Sequence, residues 1–119
     1  MSETVLKENL RKLNPLLSEF LKQPIQHFID GQWVDASSGD TFTNYSPIDE
    51  SVIGEVAEGT VDDVDRACKA ALKAYGPWAE LAGKKRREIL HAIADAIEAN
   101  AEEIALIESW DTGQPLRFM

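Results

Sequence analysis

Few side chains in these 119 residues have the types and spacing that chemistry requires. Cys68 is the single thiol, and it falls on the apolar stripe of an amphipathic segment, where burial raises a thiol's pKa and leaves it inert. It is expected in the core rather than as a nucleophile. One cysteine cannot close an internal disulfide, and with only His27 and His91 to help it cannot complete a four-ligand zinc site. His91 has no second His or Cys at ligand spacing and His27 opens a predicted strand, so both read as structural. There is no Ser/His/Asp set and no Cys/His pair in an activating context. Neither glycine-rich phosphate loop, G-x-G-x-x-G or G-x-x-x-x-G-K-[ST], occurs, so a nucleotide site wholly inside this chain has no support. The run Lys84-Lys85-Arg86-Arg87 stands at a predicted helix start, where it opposes the helix dipole. It reads as a solvated helix start, or as a patch that pairs with a partner subunit or with the acidic residues of 31–65.

Those acidic residues are concentrated. The formal net charge is −9, yet residues 1–30 and 66–119 are each neutral. The whole excess lies in 31–65, as Asp35, Asp40, Asp49, Glu50, Glu55, Glu58, Asp62, Asp63 and Asp65. Such a run is expected as a solvated acidic edge that resists strand-to-strand association. The same charge excludes sequence-independent nucleic-acid binding, which needs a surplus of Lys and Arg. With 44% hydrophobic and 28% charged residues, the chain has the composition of a globular protein of about one domain. No apolar run is long enough to span a membrane or to serve as a secretory signal, and a cytoplasmic protein is expected.

The elements that must position any site follow from periodicity. Leu6, Leu10, Leu13, Leu17 and Phe20 share one helical stripe. Asn14-Pro15 interrupts it, which predicts two short helices near 4–13 and 15–22. From residue 27 the period drops to two. Asp30-Gly31 between His27-Phe28-Ile29 and Gln32-Trp33-Val34 predicts a hairpin, because both turn positions tolerate positive φ. Ser37 to Asp40 reads as a loop, followed by strands Thr41–Tyr45 and Val52–Ala57 around a Pro47 turn. A small antiparallel meander of this kind needs a cover on its apolar face. Three helices follow. Thr60 with Asp63 forms a capping-box variant, and Val61, Val64, Cys68, Ala71, Leu72 and Tyr75 make the stripe of a helix expected to stop at Gly76-Pro77. A second helix starts near Lys84 and carries Ile89, Leu90, Ile93, Ala94 and Ile97. Asn100 then caps a third that reaches about Trp110. The segment is therefore predicted to be α+β.

The order of these strings resembles the amino-terminal part of the NAD(P)-dependent aldehyde dehydrogenases. The resemblance is carried by Phe28-Ile29-Asp30-Gly31-Gln32-Trp33, Thr41-Phe42, Ser46-Pro47, Val52 to Ala57 and Val61 to Ala67. It continues through Trp78, Arg86, Leu90, Ala94-Asp95, Ile97-Glu98, Glu108 and Asp111-Thr112-Gly113-Gln114-Pro115. It covers roughly residues 27–115. It implies an α/β fold in a several-fold longer parent, with residues 1–24 as an N-terminal helical arm and 25–119 as an incomplete portion of the cofactor-binding domain. Family members attack the aldehyde with a cysteine thiolate, pass hydride to the nicotinamide and hydrolyse the thioester to an acid. The nucleophile, glutamate base and oxyanion asparagine of that chemistry lie in segments beyond these residues, and Cys68 does not match the nucleophile's Gly-Gln-x-Cys context.

The resemblance thus implies no catalytic or cofactor-binding residue here, NAD or NADP in the full-length parent only, and an inert isolated segment. Its partners would be the remainder of the aldehyde dehydrogenase chain and further copies in a homodimer or homotetramer. One site carries over: a monovalent cation held by Asn44, Tyr45 and Asp111, whose oxygens suit a hard ion. Ser46-Pro47-Ile48-Asp49-Glu50 departs from the family's Asn-Pro-Ala-Thr-Gly, leaving the turn without its glycine. The Asp-Thr-Gly-Gln-Pro-Leu-Arg ending and the leading arm resemble dehydrogenases of aromatic-ring catabolism acting on hydroxymuconic semialdehydes. A second reading makes the chain a free-standing, non-catalytic interaction module on the same scaffold.

Overall fold

The computed structural model describes residues 3–116. In chain order these form α1 (Glu3–Phe20), β1 (His27–Ile29), β2 (Gln32–Val34), β3 (Thr41–Tyr45), β4 (Val52–Ala57), α2 (Val61–Glu80), α3 (Gly83–Ala99) and α4 (Ala101–Thr112). The segment is α+β as expected, with its strands in two two-stranded ladders, β1 with β2 and β3 with β4. The chain divides into two units, each assembled from separate stretches. One comprises residues 1–25, 41–56 and 100–119, the other 26–40 and 57–99.

In the first unit α1 packs on α4, with Leu13, Ile53 and Leu106 buried. Lys12 of α1 is ion-paired with Glu102 of α4, and that contact raises the lysine's pKa. α1 is one helix rather than the two expected, with Pro15 inside it. Proline removes one backbone donor and crowds the preceding turn. Here apolar packing of the stripe around Leu13 continues on both sides of it. The chain after α1 adds a parallel bridge between Ile25 and Val56, closed by the Ile25 N–H donating to the Glu55 carbonyl at 2.8 Å. Gly54 sits under the end of α1, where an added Cβ would lie 2.8 Å from the Phe20 carbonyl oxygen.

In the second unit the β1–β2 hairpin turns at Asp30 and Gly31, with φ of 51° and 77°, as the Asp-Gly pair predicts. Its antiparallel register pairs Phe28 with Trp33, whose rings lie 4.9 Å apart between centroids. α2 begins with the predicted capping box: the Asp63 N–H donates to Thr60 Oγ1, while the Thr60 N–H donates to the Asp63 carboxylate at 3.0 Å. Asp63, only 3% exposed, also accepts from the Ser37 N–H at 3.1 Å. It is not part of a solvated acidic edge; it ties the 37–40 loop to the helix start.

α2 does not stop at Gly76-Pro77 but continues to Glu80. The residue before a proline is normally driven out of the α region by a clash that involves its Cβ, and Gly76 has none. Cys68 is exposed, contrary to the expected core position. Val61, Val64, Leu72 and Tyr75 of the same stripe are between 61 and 85% exposed. α3 has no buried residue, and in its basic first turn Lys85 pairs with Glu88 at 3.0 Å. His91 is exposed. The buried Nε2 of His27 has no hydrogen-bond partner among the described residues.

Candidate functional site

The end of β3 and the end of α4 meet within the first unit. β3 is fixed by two threonines on one face, Thr41 and Thr43, whose hydroxyls both donate to the Glu55 carboxylate of β4, at 3.1 and 2.6 Å. Period-two alternation then turns Asn44 to the other face. There its Nδ2 donates to Asp111 Oδ1 at 2.7 Å.

Two turns hold that pair in place. After Tyr45 the chain buries Ser46, 1% exposed, whose hydroxyl donates to the Trp110 carbonyl at 2.7 Å. The Ser46 N–H donates to the Ser51 carbonyl at 2.8 Å, closing a loop in which Glu50 has a φ of 61°. The left-handed conformation is thus adopted by a residue with a side chain, at a steric cost. Asp49 caps the loop by accepting from the Ser51 N–H, and hydrogen bonding from the Ser51 side chain first and its N–H second lowers the Asp49 pKa. On the other side α4 ends at Gly113, φ 76°, whose N–H donates to the Ser109 carbonyl. The Ser109 hydroxyl donates to the Gln114 carbonyl at 2.6 Å and the Thr112 hydroxyl to the Glu108 carbonyl at 2.7 Å. The turn is thus secured by its hydroxyls, and the Asp111 carboxylate is directed to Asn44.

Of the three residues expected at a cation site, Asn44 and Asp111 are therefore in contact. Tyr45 closes β3 with its side chain 56% exposed. The ligands expected there are oxygens, the backbone carbonyls at Asn44 and Tyr45 and the Asp111 carboxylate, and Asp111 stands at the carboxyl end of α4, where the dipole adds negative potential. That chemistry suits a hard monovalent cation and not a soft metal. Among the described residues no cluster of three or more His, Cys, Asp or Glu side chains could hold a metal ion. Sequence reasoning missed Ser46 and Glu55, because their partners lie 64 and up to 14 residues away and nothing local announces them.

The amino ends of α2 and α4 already carry acidic residues, Asp62 and Asp63 in one and Glu102 and Glu103 in the other, which oppose a phosphate. Among the described residues no helix is long and apolar enough to cross a membrane.

A family model described as the aldehyde dehydrogenase family matches residues 33–119. Aldehyde dehydrogenase 1 of Tanacetum cinerariifolium is 51% identical over 93 residues, covering 76% of this chain and 19% of that protein. The NADP/NAD-dependent aldehyde dehydrogenase PuuC of Escherichia coli is 38% identical over 92 residues, again 76% of this chain and 19% of the relative. Among solved structures, HpcC from Thermus thermophilus superposes with a TM-score of 0.84 at 37% identity, covering 93% of this chain and 21% of its own. The NAD+ complex of the Bacillus cereus aldehyde dehydrogenase gives 0.79 at 40% identity, covering 87% and 21%. The chain spans about a fifth of the length of these relatives.

Proposed function

The chain belongs to the aldehyde dehydrogenase family, and from that premise we propose that it serves as the amino-terminal segment of an NAD(P)-dependent enzyme oxidising an aldehyde to a carboxylic acid. The observation that carries the reading is the superposition on the Bacillus cereus aldehyde dehydrogenase over 87% of this chain at 40% identity. The substrate is a semialdehyde of the hydroxymuconic type, a reading supported by the resemblance of the Asp111 to Arg117 string and of the leading arm. Residues 1–24 act as an arm and 25–119 as the start of the cofactor domain, in a cytoplasmic homodimer or homotetramer.

In that enzyme a bound nicotinamide would supply the acceptor for the substrate's hydride. This chain's own residues orient rather than react. Asn44 fixes the Asp111 carboxylate, and Asn44, Tyr45 and Asp111 hold a monovalent cation through their oxygens. Ser46 and Gly113 keep the two contributing turns in register. The nucleophile, base and oxyanion donor come from the remainder of the aldehyde dehydrogenase chain.

The test is aldehyde-dependent reduction of NAD or NADP by this segment joined to that remainder, beside the 119-residue chain alone. Turnover is expected only in the joined protein, and a hydroxymuconic semialdehyde should give the highest kcat/KM. Turnover by the short chain would overturn the assignment.

A further inference from the structure

Asp30-Gly31 is the only Asp-Gly pair in the sequence, and no Asn-Gly pair occurs. It forms the tip of the β1–β2 hairpin, with both residues at positive φ. The Asp30 side chain is 63% exposed. A Cβ added to Gly31 would find nothing within 4 Å, and among the described residues nothing accepts from the Gly31 N–H. The strands on either side have three residues each and form a sheet of their own. Two such strands are marginally stable in water, so their tip opens locally at little cost. One contact from outside the hairpin restrains it. Lys73 Nζ of α2 donates to Asp30 Oδ2 at 3.3 Å across 43 residues of chain, at a groove that Ile29, Gln32 and Ala70 also line.

The chemistry open to this tip is internal to the chain. A glycine after an aspartate leaves its own amide nitrogen accessible to the preceding carboxyl, because no Cβ crowds the approach. We propose that Asp30-Gly31 is a site of spontaneous backbone isomerisation to isoaspartate, and that the Lys73 ion pair sets its rate. The Gly31 nitrogen attacks Asp30 Cγ of the protonated carboxyl. A new N–C bond closes a five-membered imide as the Cγ–OH bond breaks, and the hydroxyl leaves with the amide proton as water. Water then adds back to one of the two imide carbonyls. Cleavage at Cγ restores aspartate. Cleavage at the original main-chain carbonyl carbon routes the backbone through Cβ and Cγ and leaves that carbon as a free carboxylate. Nothing is oxidised or reduced, and the mass is unchanged. Lys73 slows the first step by holding the Asp30 carboxylate toward α2 instead of leaving it free to rotate onto the Gly31 nitrogen. The isomer has one more carbon in its main chain than a two-residue turn accommodates, so the register that sets Phe28 opposite Trp33 is lost.

The test ages the 119-residue chain in neutral buffer and, in parallel, in urea. Peptides spanning each aspartate are then resolved by liquid chromatography with electron-transfer dissociation mass spectrometry, which separates isoaspartate from aspartate at equal mass. Isoaspartate should accumulate at residue 30 ahead of every other aspartate. Lys73→Ala should raise its rate about two- to fivefold in buffer, the range an exposed ion pair supports, and Lys73→Arg should keep the wild-type rate. In urea, where the fold that makes the pair is lost, all three proteins should react alike. Asp30→Asn should reach the same imide with ammonia as the leaving group and so yield the same isoaspartate. Asp30→Glu, whose ring would need six members, should yield no isomer over the same period. Failure of residue 30 to isomerise in buffer over a period that converts it in urea would overturn the site, and so would isomerisation spread evenly over the aspartates. Equal rates for Lys73→Ala and wild type in buffer would overturn the role of the ion pair.

Discussion

The backbone N–H of Ser37 is shared between both carboxylate oxygens of Asp63, at 3.1 Å to each, across 26 residues of chain. The same carboxylate accepts from the Thr60 N–H and hydroxyl, so one buried side chain both starts α2 and anchors the loop before β3. These donors, the Thr60 and Ser37 N–H groups foremost, hold its pKa well below the usual carboxylate value.

A pH dependence follows with a definite sign. The folded-state pKa of Asp63 is depressed while the unfolded value is about 3.9, so the unfolded chain binds the extra proton first as pH falls. The stability contributed by Asp63 is fully present above about pH 4 and is lost as pH drops through the folded value. Asp63→Asn should therefore lower the melting temperature at pH 7, and the gap between variant and wild type should close in acid. Thr60→Ala should cost about 1 kcal/mol, and because its hydroxyl also donates to the Asp63 carboxylate, part of that cost should fade over the same acid window.

Relieving the left-handed turn should stabilise the first unit. Glu50→Gly removes a side chain from a φ of 61°, a gain of about 1–2 kcal/mol partly offset by the greater freedom of glycine in the unfolded chain, about 0.4–1 kcal/mol. Thermal melting should show a net rise in midpoint. Gly113→Ala should act oppositely, because it combines a φ of 76° with a Cβ 3.2 Å from Pro47 Cγ.

Closeness of backbone to backbone sets a third expectation. At Gly54→Ala the new methyl meets the Phe20 carbonyl at 2.8 Å, and neither partner is a flexible side chain. Overpacking of this kind costs about 1–3 kcal/mol. Amide exchange should accelerate at the end of α1 and across the Ile25–Val56 bridge before it does in α2.

For the proposed cation site, Asp111→Ala in the complete enzyme should weaken the response of the melting temperature to sodium or potassium at matched ionic strength. The chemical step, read from single-turnover kinetics, should not change. Asn44→Ala should show a smaller loss of the same kind, since it orients the carboxylate without supplying its charge. Identical salt responses in all three proteins would remove the site.

The elements that local chemistry dictates were legible in the sequence. Asp30-Gly31 specified a turn that needs two positive φ values, and Thr60 with Asp63 specified a helix start, because each signal and its effect lie within a few residues. Pro15 and Pro77 misled for the same local reason. A proline costs about 3 kcal/mol in a helix interior, but packing around Leu13 and the missing Cβ of Gly76 allow the helices to continue. The pairing of Asn44 with Asp111 spans 67 residues and became visible only through resemblance to a family. Cys68 shows another limit. Periodicity identifies the apolar face of a helix, and it carries no information on whether the cover for that face lies in the same stretch of chain.

The polypeptide passes between its two units at residues 25–26, 40–41, 56–57 and 99–100, and this interlacing has a consequence for anyone cutting the gene. Neither unit corresponds to an uninterrupted reading frame. Deleting α1 or α4 strips one helix from the same pair, so two stretches some eighty residues apart specify a single packing interface. Residues 57–99 enter and leave through the other unit, yet they cannot be exchanged alone, because Asp63 is bonded to Ser37 and Lys73 to Asp30 in the 26–40 stretch; the two stretches have to travel together.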